Sequence, residues 1–299
     1  MDDPNLSTLI PFGPNANCTL DLCPLEYSVL QYRPALGASI AFICIFAGLL
    51  IVHTFLGVRW RNWWFMWFMG TGCITETLGY GGRVMLFYKP FSFAGFMMQI
   101  ICIGCAPVFY SAAIYVTMSK IVENLDPNLS RIKPMLYYVI FITSDVFSLV
   151  LQGVGGGTST SSKGSSESAV DITLAGLSLQ VFSMVAFCGL IIDYLIRYSK
   201  SGGQALAIPR LRLFLGFLGG AIILILARCA YRVAELSDGY FGDLFHDEPL
   251  FIGLEGVLIV LAVLALCIGH PGFVFLSSET GLKMHKTSGE ENGIMLQNK

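Results

Sequence analysis

The chain has 299 residues, of which 55% are hydrophobic and only 13% are charged, and its mean hydropathy is +0.68. A water-soluble domain of this length carries about twice this fraction of charged residues, so the composition excludes an ordinary soluble fold and indicates a membrane protein. The net charge of −2 carries little information by itself, and we expect no nucleic-acid partner.

Seven apolar segments follow one another along the chain. The hydrocarbon core of a bilayer is about 30 Å thick, and a helix needs roughly 20 apolar residues to cross it. The segments are continuously apolar instead of alternating, which is typical of helices and not of a membrane β-barrel. The sequence therefore predicts an all-α membrane protein, a bundle of seven transmembrane helices. Their expected bounds are 33–56, 63–86, 93–118, 134–154, 171–194, 211–232 and 250–270.

The positions of the basic residues predict the orientation of this bundle. Most of the Lys and Arg residues outside the spans fall on one side, which the positive-inside rule assigns to the cytosol. We therefore expect an extracellular N-terminal tail at 1–32, a seven-helix domain at 33–275 and a cytosolic, disordered tail at 276–299. The basic residues on the cytosolic side are Arg59, Arg61, Lys120, Arg131, Lys133, Arg197, Lys200, Arg210, Arg212, Lys283, Lys286 and Lys299.

The predicted extracellular tail contains two kinds of modification site. Asn5 and Asn17 each begin an Asn-X-Ser/Thr sequon, so both are candidate glycosylation sites. Cys18 and Cys23 are the cysteines that lie outside the membrane, and we expect them to form a disulfide in an oxidising compartment.

Other local signals concern loops and packing. The Gly- and Ser-rich stretch 155–170 predicts a flexible outside loop. The glycines between positions 70 and 82 predict a close helix contact, and Pro107 predicts a kink with one freed backbone carbonyl. His53 is expected to face the membrane interface near the cytosolic end of the first span.

Ionisable residues inside the predicted spans are the strongest functional signal. Each costs at least about 2.5–3.5 kcal/mol in a bilayer, so each needs a partner or a polar cavity. Glu76, Tyr80 and Arg83 share one helix face, and most of the other polar groups lie at mid-depth or in the outer half. We infer a polar vestibule that opens outward. The expected substrate-binding residues are Glu76, Tyr80, Arg83, Gln99, Asp145, Gln152, Gln180, Arg228, Arg232 and Glu255.

Opposite charges in this set predict two roles. The carboxyl groups of Glu76, Asp145 and Glu255 are expected to receive a cationic amine. The arginines either hold an anionic group or keep these carboxyls ionised. The alternative is an interhelical network of ion pairs and hydrogen bonds that only fixes the packing.

The sequence offers no catalytic residues. It has no phosphate-binding loop, no His pair spaced for zinc and no nucleophile motif, so we expect neither an enzyme nor a bound cofactor or metal. An intramembrane hydrolase that uses Glu76 or Asp145 as a base is the less favoured alternative.

Several motifs occur in an order that resembles a known family. They are Glu76-x-x-Gly79-Tyr80-x-x-Arg83, Gln99 followed by Ala106-Pro107 and Tyr115, Asp145-x-x-Ser148-x-x-x-Gln152-x-x-Gly155-x-Gly157, Gly176-x-x-x-Gln180, Arg228-x-x-Tyr231-Arg232-x-x-Glu235 and His270-Pro271-Gly272. Together, over about residues 30–275, they resemble the fungal lipid-translocating exporter family, the aminocholesterol-resistance-like seven-span proteins. The segment Phe241 to Pro249 matches loosely.

This resemblance implies export or flipping of sphingoid long-chain bases, resistance to toxic amphiphiles and, in one branch, porphyrin or haem traffic. We therefore expect a multi-pass protein of the plasma membrane, with other endomembranes as the alternative location. Its expected partners are membrane lipids and an amphiphilic small molecule. The alternative is a seven-helix receptor or sensor that binds a lipid-like ligand in the same vestibule. The sequence lacks Asp-Arg-Tyr at the inner end of the third span and Asn-Pro-x-x-Tyr in the seventh, which disfavours that alternative.

Overall fold

The computed structural model describes residues 9–10, 13, 16–161, 167–201, 208–237 and 246–272, and all regular elements in these ranges are helical. The expected seven-helix bundle is confirmed. The predicted tail 276–299, the sequon at Asn5 and most of the segment 241–249 lie outside the described residues. The long helices are α1 (Leu36–Arg59), α2 (Trp63–Tyr88), α3 (Phe93–Leu125), α4 (Pro134–Ser161), α5 (Glu167–Lys200), α6 (Pro209–Ser237) and α7 (Glu248–Ile268).

Six of these helices, within the described ranges, are long and apolar enough to cross a membrane. The exception is α2, which has 26 residues but is diluted by glycines, tryptophans, Glu76 and Arg83. It packs along both α1 and α3, so it belongs to the same bundle. Helix α7 begins with one α-helical turn and continues as a π-helical stretch, Phe251–Val257, before it becomes regular.

Glycines bring α2 and α3 into close contact, as the sequence predicted. A Cβ atom added to Gly82 would lie 2.7 Å from the carbonyl oxygen of Gly95 and 2.8 Å from the backbone nitrogen of Gln99. No side chain fits in that space, so the two backbones touch. This contact fixes the register of Glu76 and Arg83 relative to α3.

The prediction of a flexible loop at 155–170 is wrong for most of these residues. Helix α4 continues through Gly155 and its neighbours to Ser161, and α5 already begins at Glu167. A Cβ on Gly155 would lie 2.7 Å from both the carbonyl oxygen of Ala169 and the backbone nitrogen of Thr173. The glycine therefore allows α4 and α5 to pack closely, and it is not part of a flexible loop.

Part of the predicted N-terminal tail is folded against one end of the bundle. Cys18 and Cys23 are joined by a disulfide. Further along, Arg33 donates to the carbonyl oxygen of Phe87 at 2.9 Å, and Leu30 is buried in a small apolar cluster. This segment is therefore a cover over the bundle end that carries the polar site. The other buried members of the Leu30 cluster are Leu86, Phe96, Leu177 and Leu236.

At the opposite end of the bundle, His53 is fully buried, so the expectation that it faces the interface is wrong. Its Nε2 atom lies 3.1 Å from Cys267 Sγ and 3.4 Å from the carbonyl oxygen of Val263. The reason is helical spacing, because His53 continues the buried stripe of Phe46 and Leu49 on α1. His270 lies next to this region, with its ring centre 4.9 Å from that of Phe65.

Candidate substrate-binding site

Arg228 on α6 joins three helices in the interior. Its Nη2 atom donates to Glu255 Oε1 on α7 and, at 2.7 Å, to the carbonyl oxygen of Ile103 on α3. That carbonyl is available because Pro107, four residues later, has no backbone N–H to donate to it. The freed carbonyl that the sequence predicted is thus the acceptor for a buried arginine, and Glu255 matches the charge of Arg228.

Arg232 lies one turn further along α6. Its Nη1 atom donates to Glu235 Oε2 at 2.6 Å, and its Nε atom is 3.9 Å from Glu255 Oε1. The pair with Glu235 follows from the i, i+3 spacing on one helix face. Glu235 is 2% exposed, so this is an interior ion pair and not a surface one.

Arg83 on α2 has a partner that the sequence analysis missed. Its Nη2 atom donates to Glu248 Oε1 at 2.8 Å and to the hydroxyl of Tyr32 at 3.4 Å, and its guanidinium lies 4.1 Å from the ring centre of Phe251. Burial raises the pKa of Tyr32, so its hydroxyl stays neutral. Glu248 also accepts the backbone N–H of Ala35 at 2.7 Å, which ties α2, α7 and the N-terminal segment together.

Glu76, in contrast to Arg83, has no ion-pair partner among the described residues. It is 1% exposed, and its Oε1 atom has no hydrogen-bond partner there. Among the described residues, the charged groups within electrostatic range of Glu76 are Arg228 and Glu255. Tyr80, one turn along α2, stacks on the ring of Phe42 at 4.7 Å, and its buried hydroxyl has no partner among the described residues either.

Asp145 on α4 is the second carboxyl without a cation. Its Oδ2 atom accepts the hydroxyl of Tyr115 at 3.1 Å, whereas Oδ1 has no hydrogen-bond partner in the described part of the chain. The ring of Tyr115 packs between Phe141 and Phe187, which holds the hydroxyl in place. Asp145 itself is 1% exposed. The arrangement leaves one acceptor of a buried carboxyl unused.

The amide residues divide into two groups. Gln152 donates to Ser148 Oγ at 2.9 Å and to Gln180 Oε1 at 3.2 Å, and Ser148 donates to the carbonyl oxygen of Gly176 at 2.6 Å. These bonds link α4 to α5 and are consistent with the packing alternative for Gln152 and Gln180. Gln99 on α3 differs, because its buried Oε1 atom has no partner among the described residues.

A cavity of about 10 Å³ lies beneath the N-terminal segment. This is room for about one water molecule and not for a lipid, so this cavity, lined by described residues, does not form the expected open vestibule. Of the expected site residues, Gln99, Arg232 and Glu255 line the cavity. Gln152 and Gln180 link α4 to α5, and Asp145 on α4 bonds to Tyr115 on α3. The other lining residues are Leu30, Tyr32, Ile100, Ile103, Glu235 and Phe251.

Arg228 binds Glu255 at the cavity, and Glu76 and Tyr80 are within electrostatic range of both residues. The expected site residues therefore form two groups, one around Arg228 and Glu255 and one among α3, α4 and α5. Cys229 on α6 lies between them, within electrostatic range of both Asp145 and Glu255. Sequence spacing did not identify Glu248 or Tyr32 as partners, because they stand on segments far from Arg83 in the chain. A count of charges was the available signal, since Arg83 needed a carboxylate and Glu76, about 10 Å away along the same helix face, is too far to pair with it.

A seven-helix bundle with buried ion pairs and two unmatched carboxyls defines a multi-span membrane protein with a polar interior. Residues 68–278 match the model of the RTA1 like protein family, and the chain belongs to this family. The expected exporter-family membership is thereby confirmed.

Named relatives come from Saccharomyces cerevisiae. The chain is 30% identical over 286 residues to the sphingoid long-chain base transporter RSB1, covering 83% of this chain and 75% of the relative. It is 28% identical over 205 residues to protoporphyrin uptake protein 1, covering 67% and 66%, and 28% identical over 204 residues to protein RTM1, covering 66% and 64%. No solved structure matches the chain.

Proposed function

We propose that this protein carries an amphiphilic lipid with a cationic amine, of the sphingoid long-chain base type, across the membrane. Membership of the RTA1 like family and the similarity to a sphingoid long-chain base transporter support this function. The protein acts as a transporter and not as an enzyme.

One observation carries the proposal: the buried charges do not balance. Arg83, Arg228 and Arg232 each have a carboxylate partner among the described residues, whereas Glu76 and Asp145 have no arginine or lysine partner there. A buried carboxylate without a cation is strongly unfavourable. An ammonium head group supplies the missing charge at either position, while the apolar chain of the lipid remains among apolar side chains.

The same pairing argues against an anionic substrate. A porphyrin carries carboxylates, which need free guanidinium groups. Arg83 and Arg228 are already bound to Glu248 and Glu255, so an anionic ligand first has to break a buried ion pair. The arginines therefore hold the carboxylates of the network in place, and a cationic ligand is favoured.

We further propose an orientation and a location. The distribution of basic residues supports an orientation with the N-terminal segment outside and the end of α7 in the cytosol. The covered cavity then lies toward the extracellular side, so an opening of the bundle at this end would release the lipid into the outer leaflet or the medium. The plasma membrane is the expected location.

The test is redistribution of a labelled sphingoid base in proteoliposomes of the purified protein. We expect faster movement between leaflets than in protein-free vesicles, and no acceleration for the N-acylated, uncharged analogue of the same chain length. Equal rates for both lipids contradict recognition of the amine. Binding of the base without any movement favours the receptor alternative.

A further inference from the structure

We propose that Glu76 is a proton-exchange site: its carboxyl holds a proton while the site is empty and releases it when the cationic head group binds. This inference rests on the proposed function, because it assigns a coupling ion to the same site. The transported amine and the proton then compete for one buried carboxyl.

The first argument is the burial of Glu76 without compensation. The residue is 1% exposed, and its Oε1 atom has no hydrogen-bond partner in the described part of the chain. An isolated ionised carboxylate in a low-dielectric interior is so costly that such a group takes up a proton instead. The empty site therefore contains a neutral carboxylic acid.

The second argument is that the nearest cation is already used. Arg228 is within electrostatic range of Glu76, but its Nη2 atom is bound to Glu255 and to the Ile103 carbonyl. Glu255 is itself negative and opposes ionisation of Glu76. From α1, aromatic Phe42 and Phe46 pack against the adjacent Tyr80. The remaining titratable groups within electrostatic range of Glu76 are uncharged: Cys73 and Tyr80 on α2, and Cys102 and Tyr110 on α3.

The third argument separates Glu76 from Asp145. A hydroxyl that donates to a carboxylate favours its ionised form, and Asp145 has such a donor in Tyr115 at 3.1 Å. Glu76 has no comparable donor among the described residues. In the empty state, the carboxyl of Glu76 is therefore more strongly driven to bind a proton than that of Asp145.

The exchange balances in atoms and charge. The O–H bond of the Glu76 carboxyl breaks, the proton leaves to water, and the carboxylate pairs with the incoming ammonium ion. One positive charge enters the site and one leaves, so the charge of the interior is unchanged. When the outside is more acidic than the cytosol, protons that move inward through this exchange then drive export of the amine.

A permanently charged probe tests this directly. A long-chain trimethylammonium amphiphile carries no proton of its own, so any proton released on binding comes from the protein. We expect release of about one proton per bound probe in weakly buffered detergent solution, and loss of this release in Glu76→Gln. The matched control Glu123→Gln removes an exposed carboxyl at the cytosolic end of α3. This variant should release as many protons per bound probe as the unsubstituted protein.

The pH dependence of the unsubstituted protein provides a second, variant-free measurement. Because binding releases a proton, affinity for the trimethylammonium probe should rise with pH, by up to about tenfold per unit while the empty carboxyl is protonated. Binding without proton release, with an affinity independent of pH, overturns the exchange but leaves amine recognition standing. Undiminished release in folded Glu76→Gln also overturns it. No binding at any pH refutes both the exchange and the proposed function.

Discussion

Arg228 connects α6 to α7 through Glu255 and to α3 through the carbonyl that Pro107 leaves free. Both bonds are buried, since Arg228 and Glu255 are 2% and 1% exposed. A buried pair of this kind contributes less net stability than its geometry suggests, but removal of one partner leaves a charge without compensation. The pair is therefore a structural requirement of the bundle.

Glu255→Gln should for this reason destabilise the protein by about 3–5 kcal/mol. The substitution keeps the shape of the side chain but leaves the Arg228 cation without its buried counter-ion. Thermal or denaturant unfolding of the purified protein in detergent measures the loss, and the additional change Arg228→Gln should restore part of it. An unchanged unfolding midpoint in the single variant would show that the ion pair is dispensable.

At the scale of residues, the sequence was informative about which groups are special and less so about their partners. The cost of charge in lipid identified Glu76, Asp145 and Arg228 as unusual residues. The partner of Arg83 was not predictable, because Glu248 is 165 positions away in the chain. His53 was misjudged because its distance from the helix end was given more weight than its place in a buried stripe.

Helices α2 and α3 meet at glycines, which places Glu76 and Gln99 on facing surfaces. We expect Gly82→Ala to separate the two backbones, since the added Cβ would lie 2.7 Å from the Gly95 carbonyl oxygen. Overpacking of this kind costs about 1–3 kcal/mol, which unfolding measurements detect. Gly104→Ala on α3 is the matched control, because a Cβ there meets nothing within 4 Å. Equal stability of the two variants would refute the close contact.

The N-terminal segment is held over the cavity by Glu248, which binds both Arg83 and the backbone N–H of Ala35. Hydrogen bonds to charged groups contribute about 1.5–3 kcal/mol. Glu248→Gln should therefore speed amide hydrogen exchange in residues 28–35 by about 10- to 100-fold. Exchange in α4 and α5, which Glu248 does not contact, serves as the internal reference. Unchanged exchange near Ala35 would mean that other contacts hold the cover.

At the scale of elements, all seven helices could be placed from apolar runs because the length of a span is set by the bilayer. Where helices continue beyond the hydrocarbon, hydropathy no longer reports on them. This is why α3 reaches Leu125 and α4 reaches Ser161, beyond their predicted ends. The cover formed by the N-terminal segment was also missed, because its contacts are with distant helices and a polar segment with one disulfide gives no periodic signal.

The orientation that we propose for the whole molecule rests on charge asymmetry and has a direct test. Asn17 and Asn128 both begin sequons and both are exposed, so accessibility does not distinguish them. We expect that Asn17 can carry a glycan and that Asn128 remains unmodified, since the proposed orientation puts Asn17 outside and Asn128 in the cytosol. Mass spectrometry of peptides from the protein expressed in a eukaryotic membrane measures both sites. A glycan on Asn128 would contradict the proposed orientation and indicate the reverse one.

For the molecule as a whole, the central claim is that Glu76 serves a ligand and not the fold. Folding stability and transport of a labelled sphingoid base, measured together for Glu76→Gln, test it most directly. A neutral amide resembles the protonated acid of the empty site, so we predict an unfolding midpoint close to that of the unsubstituted protein and transport reduced at least tenfold. Asp145→Asn should likewise reduce transport while the unfolding midpoint stays close to that of the unsubstituted protein. Loss of folded protein together with transport, with both restored by neutralising Arg83 or Arg228, would contradict the account and assign Glu76 to the packing network.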